Sequence, residues 1–557
     1  MRPCSTRVLY PKLAPALLTV KKACAPALHT CQPHGKAISL AFGWGDRLER
    51  PFGKDRVCGV IAAGTARGMI SQVRLGLKSS RTLELRLDYL RRSEERAAFL
   101  AWLARRRPRA VLIATCRCRG GGGLFRGTRK TQLEVLAQAA RAGCQWCDVE
   151  IEVAKHVSPV ELRRVLFPAR VMVSHHDFRR TPRNLQGIIR QLVRAGGEIA
   201  KIAAQCHSVS DSVRICELAR GRRGTIAIPM GEVGLAGRIL ALREGSVLAY
   251  AAVEQATAPG QLSLDAMMHL YRAGQISRRT RVYGVIGSPI GHSLSPLLHN
   301  TAFRARKFDA VFVPFLVNDL SDFLRSVMPF DIAGFATTIP HKESILRHLD
   351  DCDPLAARIG AVNTVVVRGG GRLYGYNTDY VGVLRSLERR MQLAGSRVLL
   401  FGAGGAARAA AFALAQAGAI VCLSARRPER ARSLARAAGG QVVARADLRR
   451  EFFDAIVNCT PVGMHPRGGS PLESAELNCR LVMDMVYRPR TTELLRIARR
   501  RGIETVSGVE MFLAQGFAQY EIWTGERAPE AAVRRAVTGV LEREEKFLGQ
   551  GPRKRPR

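Results

Sequence analysis

The chain has 557 residues, too many for one hydrophobic core, so two or three domains are expected. Its apolar fraction of 47% is ordinary, and it contains no run of about 18 uninterrupted apolar residues, which argues against a membrane-spanning chain. The formal net charge of +41 would suit nucleic acid or an anionic surface, but the excess is mostly Arg spread along the chain, without zinc-finger spacing or an RNA-binding aromatic signature. No specific nucleic-acid partner is therefore expected, and the positive field would serve small anionic substrates.

Residues 1–56 read as a basic N-terminal extension, the first 45 carrying six basic residues and no acid. That composition resembles a plastid-type transit peptide; a bacterial extension or a start codon placed too far upstream fits equally, and the expected location is cytoplasmic. The 14 cysteines include one CxxC, Cys144 and Cys147, but no second pair at finger-like spacing. Buried thiols in a reducing compartment are expected, with no metal.

From Val57 to Gly274, eight apolar runs alternate with helical patterns, starting at Val57, Thr82, Ala110, Cys144, Arg170, Ile199, Thr225 and Val247. Strand-like runs each followed by room for a helix predict an eight-fold β/α barrel over 57–274. A doubly wound open sheet is the alternative. In TLELRLDYL, Leu83, Leu85 and Leu87 share one face while Glu84, Arg86 and Asp88 share the other. Three charges facing a barrel interior are costly unless paired or catalytic. Arg117, His176 and Lys201 lie in or at the ends of later runs, and barrel active sites sit at the C-terminal strand ends.

Arg272–Arg281 carries four Arg residues with Gly and Ser and reads as a linker. A second α/β pattern begins at Val282 and extends to Val381 as a substrate domain, and a cofactor domain follows over 382–546. Its signature is FGAGGAARA, an apolar run that turns into an Ala-rich helix. Gly402 permits a tight turn, Gly404 lets backbone approach a pyrophosphate, and Ala407 keeps helix and strand close. Such turns also occur for packing alone. The next run ends in Arg426, Arg427 and Arg430, with no acid before Glu429, where a ribose-binding carboxylate would stand for NAD. Guanidinium groups there favour a 2′-phosphate, so NADP is the expected cofactor. Residues 547–557 read as a solvated basic tail.

Lysines are rare between Val57 and Glu545: Lys78, Lys130, Lys155, Lys201, Lys307 and Lys342. A guanidinium stays charged, whereas an ammonium can be tuned to act as nucleophile or acid. Lys201, between Ala200 and Ile202, could form a Schiff base, with Arg86, Arg117 and Arg238 available for a carboxylate. Lys342 follows Pro340, where position alone fits surface charge and catalysis equally.

These residues resemble two families. The first half is similar to type I 3-dehydroquinate dehydratases and the second to shikimate dehydrogenases, together resembling the fused bifunctional enzymes of aromatic amino-acid biosynthesis over Val57–Gly525. For the dehydratase, the resemblance implies a barrel with Schiff-base Lys201 and acid/base His176 (in SHHDF), and substrate contacts at Glu84, Arg86, Arg117, Arg238, Thr257 and Gln261. Two departures stand out: Gly121 where relatives carry a Glu that holds the catalytic His, and Gly237 where they carry Ser. Restoring the carboxylate at Gly121 is expected to raise the dehydratase rate if the missing group matters; no gain would mean that another group already orients His176.

For the dehydrogenase, the resemblance implies catalytic Lys342 and Asp379, and shikimate contacts at Ser293, Ser295, Thr338, Asn363, Asp379, Tyr487 and Gln515. The implied NADP site comprises Gly402, Ala403, Gly404, Gly405, Ala406, Arg426, Arg427, Arg430, Thr460 and Gly508, with Ala425 in place of a motif Asn. The expected activity is dehydration of 3-dehydroquinate followed by NADPH-dependent reduction to shikimate, in a monomer or homodimer. A working dehydrogenase with an impaired dehydratase half is the alternative. A basic nucleic-acid-binding scaffold is a remote third, disfavoured by two lysine-centred sites.

Overall fold

The computed structural model describes residues 51–52, 55–291, 293–464 and 468–549, with side chains described to 546. Most of the basic extension and the end of the tail lie outside these residues. Among the described residues, the chain divides into two compact units, one comprising 51–377 with 535–540, the other containing 378–534 and 541–549.

The first unit opens with eight parallel strands: β1 (Val57–Ile61), β2 (Thr82–Arg86), β3 (Val111–Thr115), β4 (Trp146–Glu150), β5 (Arg170–Asp177), β6 (Ile199–Gln205), β7 (Thr225–Met230) and β8 (Ala249–Ala252). They pair in chain order, β1 also pairing with β8, so the sheet is a nearly closed barrel. At the seam, Val247 N donates to Thr225 O at 3.0 Å. All eight expected runs became strands, because each is apolar on the helix-facing side and long enough to cross the barrel once.

The barrel interior is graded along its axis. Trp146, Met172, Ile199, Ile226 and Leu248, near the strand starts, form an apolar cluster closed by Phe52, whose ring lies 5.4 Å from that of Trp146. The charged residues lie further along, toward the C-terminal ends. β2 is shorter than its sequence pattern suggests. Leu87–Tyr89 forms a 3-10 turn, so Asp88 reaches the interior from beyond the strand rather than along its face.

A mixed sheet follows in the same unit, ordered β10-β9-β11-β13-β14-β12. Its strands are β9 (Arg281–Gly287), β10 (Ala310–Leu316), β11 (Ile332–Thr337), β12 (Asp351–Cys352), β13 (Thr364–Val367) and β14 (Leu373–Tyr376). The segment read as a linker is tied down: Arg243 Nε donates to Thr280 O at 3.1 Å, and Thr280 Oγ1 to Asp309 Oδ1 at 2.8 Å. Asp322, from the second sheet's helix Leu320–Ser326, accepts from Val209 N and Ser210 N at 2.8 and 3.2 Å. Its carboxylate thereby satisfies the amino end of the barrel helix Val209–Glu217.

The second unit contains a parallel sheet ordered β17-β16-β15-β18-β19-β20. These strands are β15 (Arg397–Phe401), β16 (Ile420–Ser424), β17 (Gln441–Val442), β18 (Phe453–Asn458), β19 (Cys479–Asp484) and β20 (Glu504–Val506). The order reverses at β15, the first strand, with β16 on one side and β18 on the other. That is the switch point where doubly wound sheets bind ligands at their carboxyl ends.

Candidate active sites

The barrel interior holds a cluster of buried charges that the strands bring together from distant parts of the sequence. Lys201, 2% exposed on β6, donates from Nζ to Glu84 Oε1 at 3.0 Å and Asp148 Oδ2 at 2.8 Å. Its ammonium lies 4.0 Å from the centre of the Tyr250 ring. Arg117 donates from Nη2 to Asp148 Oδ2 at 2.8 Å and from Nη1 to His176 Nε2. Arg86 grips Asp88 with two bonds of 2.9 and 3.0 Å. Glu84, Asp88 and Asp148 thus face Arg86, Arg117 and Lys201, so no member carries an uncompensated charge.

Two titrations follow from this packing. Burial pushes the Asp148 carboxyl up, but Lys201 and Arg117 beside it overcome that effect and hold it at about 2. Burial, reinforced by Arg117 and Lys201, drives His176 well below the ordinary imidazole range. A neutral His176 can therefore take a proton. Among the described residues its one side-chain hydrogen-bond partner is Arg117, and no carboxylate orients it.

Of the three arginines available for a substrate carboxylate, two are engaged: Arg86 by Asp88 and Arg117 by Asp148. Arg238 is different. It is 4% exposed, donates from Nη2 to Pro259 O at 2.7 Å, and forms no ion pair among the described residues. Its Nε has no partner, and burial lowers its pKa to about 10. A desolvated, unpaired guanidinium is a strong site for an anionic ligand. On the neighbouring loop, Gln261 Oε1 accepts from Thr257 N and Oγ1 at 2.7 and 3.1 Å.

Both departures from the dehydratase pattern have a structural counterpart. A Cβ at Gly121 would lie 1.9 Å from Glu150 Oε1, so another carboxylate already fills that space. Glu150 is held by Cys118 N at 2.9 Å and Gln132 Nε2 at 2.7 Å, and burial raises its pKa. A glutamate at position 121 would have to displace Glu150. A Cβ at Gly237 would meet Ser212 Oγ at 2.2 Å, so a serine hydroxyl stands there from another helix. Asp148 and Glu150 were absent from the sequence-based site. Their signal was present: two acids on the inner face of an apolar run require buried cations.

In the mixed sheet, the carboxyl ends of β9 and β11 carry the expected shikimate residues. Thr338 N donates to Ile286 O at 3.0 Å and Ser288 N to Ile339 O at 3.0 Å, clasping the two loops. Gly287 allows this approach, since a Cβ there would lie 2.5 Å from Thr338 Cγ2. Lys342 lies half-buried in the short helix His341–Ser344, and its carbonyl accepts from Val362 N at 2.7 Å. That bond places it beside buried Asn363, whose Oδ1 accepts from Thr364 Oγ1 at 2.8 Å. Ser293 Oγ accepts from Ser295 N at 3.2 Å at the start of the helix Ser295–Ala305.

In the second unit, Asp379 is buried and begins the helix Asp379–Glu388. Gly402 has φ +124, and a Cβ there would press on Thr460 Cγ2 at 3.1 Å, so the turn requires glycine. At Gly404 a Cβ would meet nothing, leaving the amino end of the helix Gly405–Gln416 open to a ligand beside Ala403 and Ala406. Buried Ala407 keeps this helix against the sheet. Phe401 and Ser424 are in register, and Gly402 N donates to Ser424 O at 2.8 Å, bringing Arg426 and Arg427 beside the turn. Arg426, Arg427 and Arg430 are exposed, the last two at the amino end of the helix Pro428–Ala438. Cations are disfavoured at that end unless an anion joins them. These residues fit a dinucleotide with an additional phosphate.

Thr460 is held by Asn458 Oδ1, which accepts from its N and Oγ1 at 2.9 and 2.7 Å, and Asn458 in turn donates to buried Asp484 at 2.9 Å. Tyr487 stacks on Phe512 with centroids 4.6 Å apart, and Gln515 donates to Phe512 O at 2.9 Å. Gly508 has a packing reason of its own: a Cβ would lie 2.6 Å from Met485 O. Among the described residues there is no cluster fit for a metal ion, and no helix is long and apolar enough to cross a membrane.

Comparison with known proteins gives three family matches along the chain. Residues 57–278 match the type I 3-dehydroquinase family, 285–365 the shikimate dehydrogenase substrate binding domain, and 508–538 the shikimate 5′-dehydrogenase C-terminal domain. The chain is 36% identical to a chloroplastic bifunctional 3-dehydroquinate dehydratase/shikimate dehydrogenase of Arabidopsis thaliana, over 80% of this chain and 78% of that one. It is 42% identical to a shikimate dehydrogenase (NADP(+)) of Methanothermobacter thermautotrophicus, over 48% of this chain and 100% of that one. Among solved structures, shikimate 5-dehydrogenase from Thermus thermophilus with NADP(H) and shikimate is 37% identical, covering 46% of this chain and 99% of that one, with a TM-score of 0.43.

Proposed function

The chain belongs to the family of bifunctional 3-dehydroquinate dehydratases/shikimate dehydrogenases, and from that membership we propose how its residues divide the chemistry. It is a lyase and an NADP-dependent oxidoreductase of the shikimate pathway. Residues 57–274 carry the dehydration; 282–381 and 382–546 carry substrate and cofactor for the reduction. The observation that carries the first assignment is the buried Lys201, whose Nζ lies between two carboxylates in a barrel with a neutral His176.

In the dehydratase, Arg238 holds the carboxylate of 3-dehydroquinate. Lys201, after giving up a proton, attacks the ring ketone, and water leaves as the iminium forms. His176 removes a proton from the adjacent carbon, and the electron pair moves into the iminium to give an enamine. As the enamine collapses, the ring hydroxyl departs as water with a proton from His176. Hydrolysis of the conjugated iminium then releases 3-dehydroshikimate and frees Lys201.

In the dehydrogenase, Gly402–Ala406, Thr460 and Gly508 hold the dinucleotide, and Arg426, Arg427 and Arg430 take the 2′-phosphate. Bound NADPH supplies the hydride. Ser293, Ser295, Thr338 and Asn363 hold the ring hydroxyls and carboxylate. Lys342 donates the proton that the carbonyl oxygen requires. The protein acts in the cytoplasm as a monomer or homodimer without a specific nucleic-acid partner.

Supplying 3-dehydroquinate and NADPH to the purified chain tests both halves together. An enone absorbance that rises transiently while NADPH is consumed supports the assignment. NADPH consumption from 3-dehydroshikimate alone, with none from 3-dehydroquinate, would favour the impaired-dehydratase reading, which His176's lack of a carboxylate partner supports.

A further inference from the structure

The second unit contains a cavity of about 630 Å³ lined by none of the residues assigned above to substrate or cofactor. Six of its 14 lining residues are arginines: Arg385, Arg389, Arg390, Arg490, Arg499 and Arg534. Lys and Arg together make up 87 of 557 residues in the chain, so this concentration exceeds what its basic composition supplies. They converge from separate segments: the helix Asp379–Glu388 and the two residues after it, the loop before the helix Glu493–Arg500, that helix itself, and the helix Glu530–Gly549.

Only two carboxylates, Glu510 and Glu530, line the cavity. Glu510 is shared, meeting Arg534 at 2.6 Å and Arg389 at 3.7 Å. Arg390 pairs with Glu504 at 3.1 Å and Arg490 with Glu542 at 2.7 Å, neither acid belonging to the lining. Arg385 and Arg499 form no ion pair among the described residues. Arg385 lies within the field of Glu521, and Arg499 Nε donates to Thr505 Oγ1 at 3.2 Å. Ser507, at the amino end of the 17-residue helix Gly508–Thr524, also faces the cavity and adds the positive end of a helix dipole.

Guanidinium groups gathered around one concavity repel one another, and their common field draws in an anion. Their planar donor forks match the paired oxygens of phosphoryl and carboxyl groups. The volume is within the range of small-molecule sites. We propose that this cavity is a binding site for a small oxyanion with two or more negative charges, with Arg385 and Arg499 as its principal ligands.

The test is calorimetric titration of the full chain, saturated with NADP⁺ so that the dinucleotide site is filled, with inorganic pyrophosphate and, separately, with citrate. Saturable binding of either, weakening as salt is raised, is expected. Tighter pyrophosphate would identify a phosphate ligand and tighter citrate a polycarboxylate. The Arg385→Gln, Arg499→Gln double variant should weaken binding at least about tenfold, the scale of a lost charge-assisted contact. Thr505→Glu, which places a carboxylate beside Arg499, should do the same if the double variant fails to fold. Arg426→Ala should leave it unchanged. Absence of saturable binding, binding indifferent to these cavity substitutions, or binding lost in Arg426→Ala overturns the proposal.

Discussion

Lys201 and Lys342 occupy contrasting surroundings. Lys201 lies within a barrel strand, held by Glu84 and Asp148, while Lys342 is half-buried on a four-residue helix at the end of a mixed sheet. A buried ammonium needs fixed counter-charges, and the barrel provides them from the inner faces of neighbouring strands. Lys342, half-buried, keeps part of its hydration. On the roles proposed above, a nucleophile that must first be deprotonated sits amid ionisable groups, and a proton donor must be held within reach of the carbonyl oxygen.

If the two sites work independently, each lysine should control one reaction. Lys342→Ala should lower kcat for reduction by roughly 10²–10⁴-fold, the range of a lost general acid, while dehydration stays near wild type. Parallel assays from 3-dehydroshikimate and 3-dehydroquinate measure this, and equal losses in both would remove the distinction.

The cage around Lys201 should also make the barrel sensitive to acid. The Asp148 carboxyl is held at about 2 in the folded chain, below its ordinary value of 3.8. Its contribution is therefore fully present above about pH 4 and is lost as pH falls toward 2. Asp148→Asn should destabilise the barrel by about 3–5 kcal/mol at neutral pH, the scale of breaking a buried ion pair, and flatten its response to acid. Denaturant unfolding across pH reads both effects. An unchanged midpoint at neutral pH would mean that the cage contributes nothing to stability.

On the cofactor side, exposed Arg426 and Arg427 are screened by solvent, so their effect should be smaller. The Arg426→Ala, Arg427→Ala variant should raise KM for NADPH by about tenfold or more, with little change for NADH. The smallest expected change is at Gly121. Because Glu150 occupies the neighbouring space, Gly121→Glu should not raise the dehydratase rate; a clear gain would show that Glu150 moves aside readily.

Much of this contrast was legible in the sequence. The eight barrel runs were bounded clearly enough to place every strand, and Lys201 stood out as a lysine in an apolar run of an Arg-rich chain. Gly402 and Ala407 could be read from the strand-turn-helix pattern, and the structure gives each the expected place. Pairings across the barrel were not legible, because they depend on register and tilt. For this reason Arg86, Arg117 and Arg238 looked equivalent until Asp88 and Asp148 were seen to occupy the first two. Asp88 also shows a strand ending earlier than its alternation of charges suggests, since the 3-10 turn keeps the residue pointing inward. Glu150 filling the space beside Gly121 arises from a different strand, which no local pattern reports.

Lys201, within its carboxylate cage, is the proposed nucleophile of the dehydratase. Reduction of the chain with borohydride in the presence of 3-dehydroquinate, followed by mapping of the modified peptide by mass spectrometry, tests this role. The expected result is one substrate-derived adduct on Lys201, absent without substrate and absent in Lys201→Ala. An adduct on another lysine, or turnover that persists in Lys201→Ala, would contradict it.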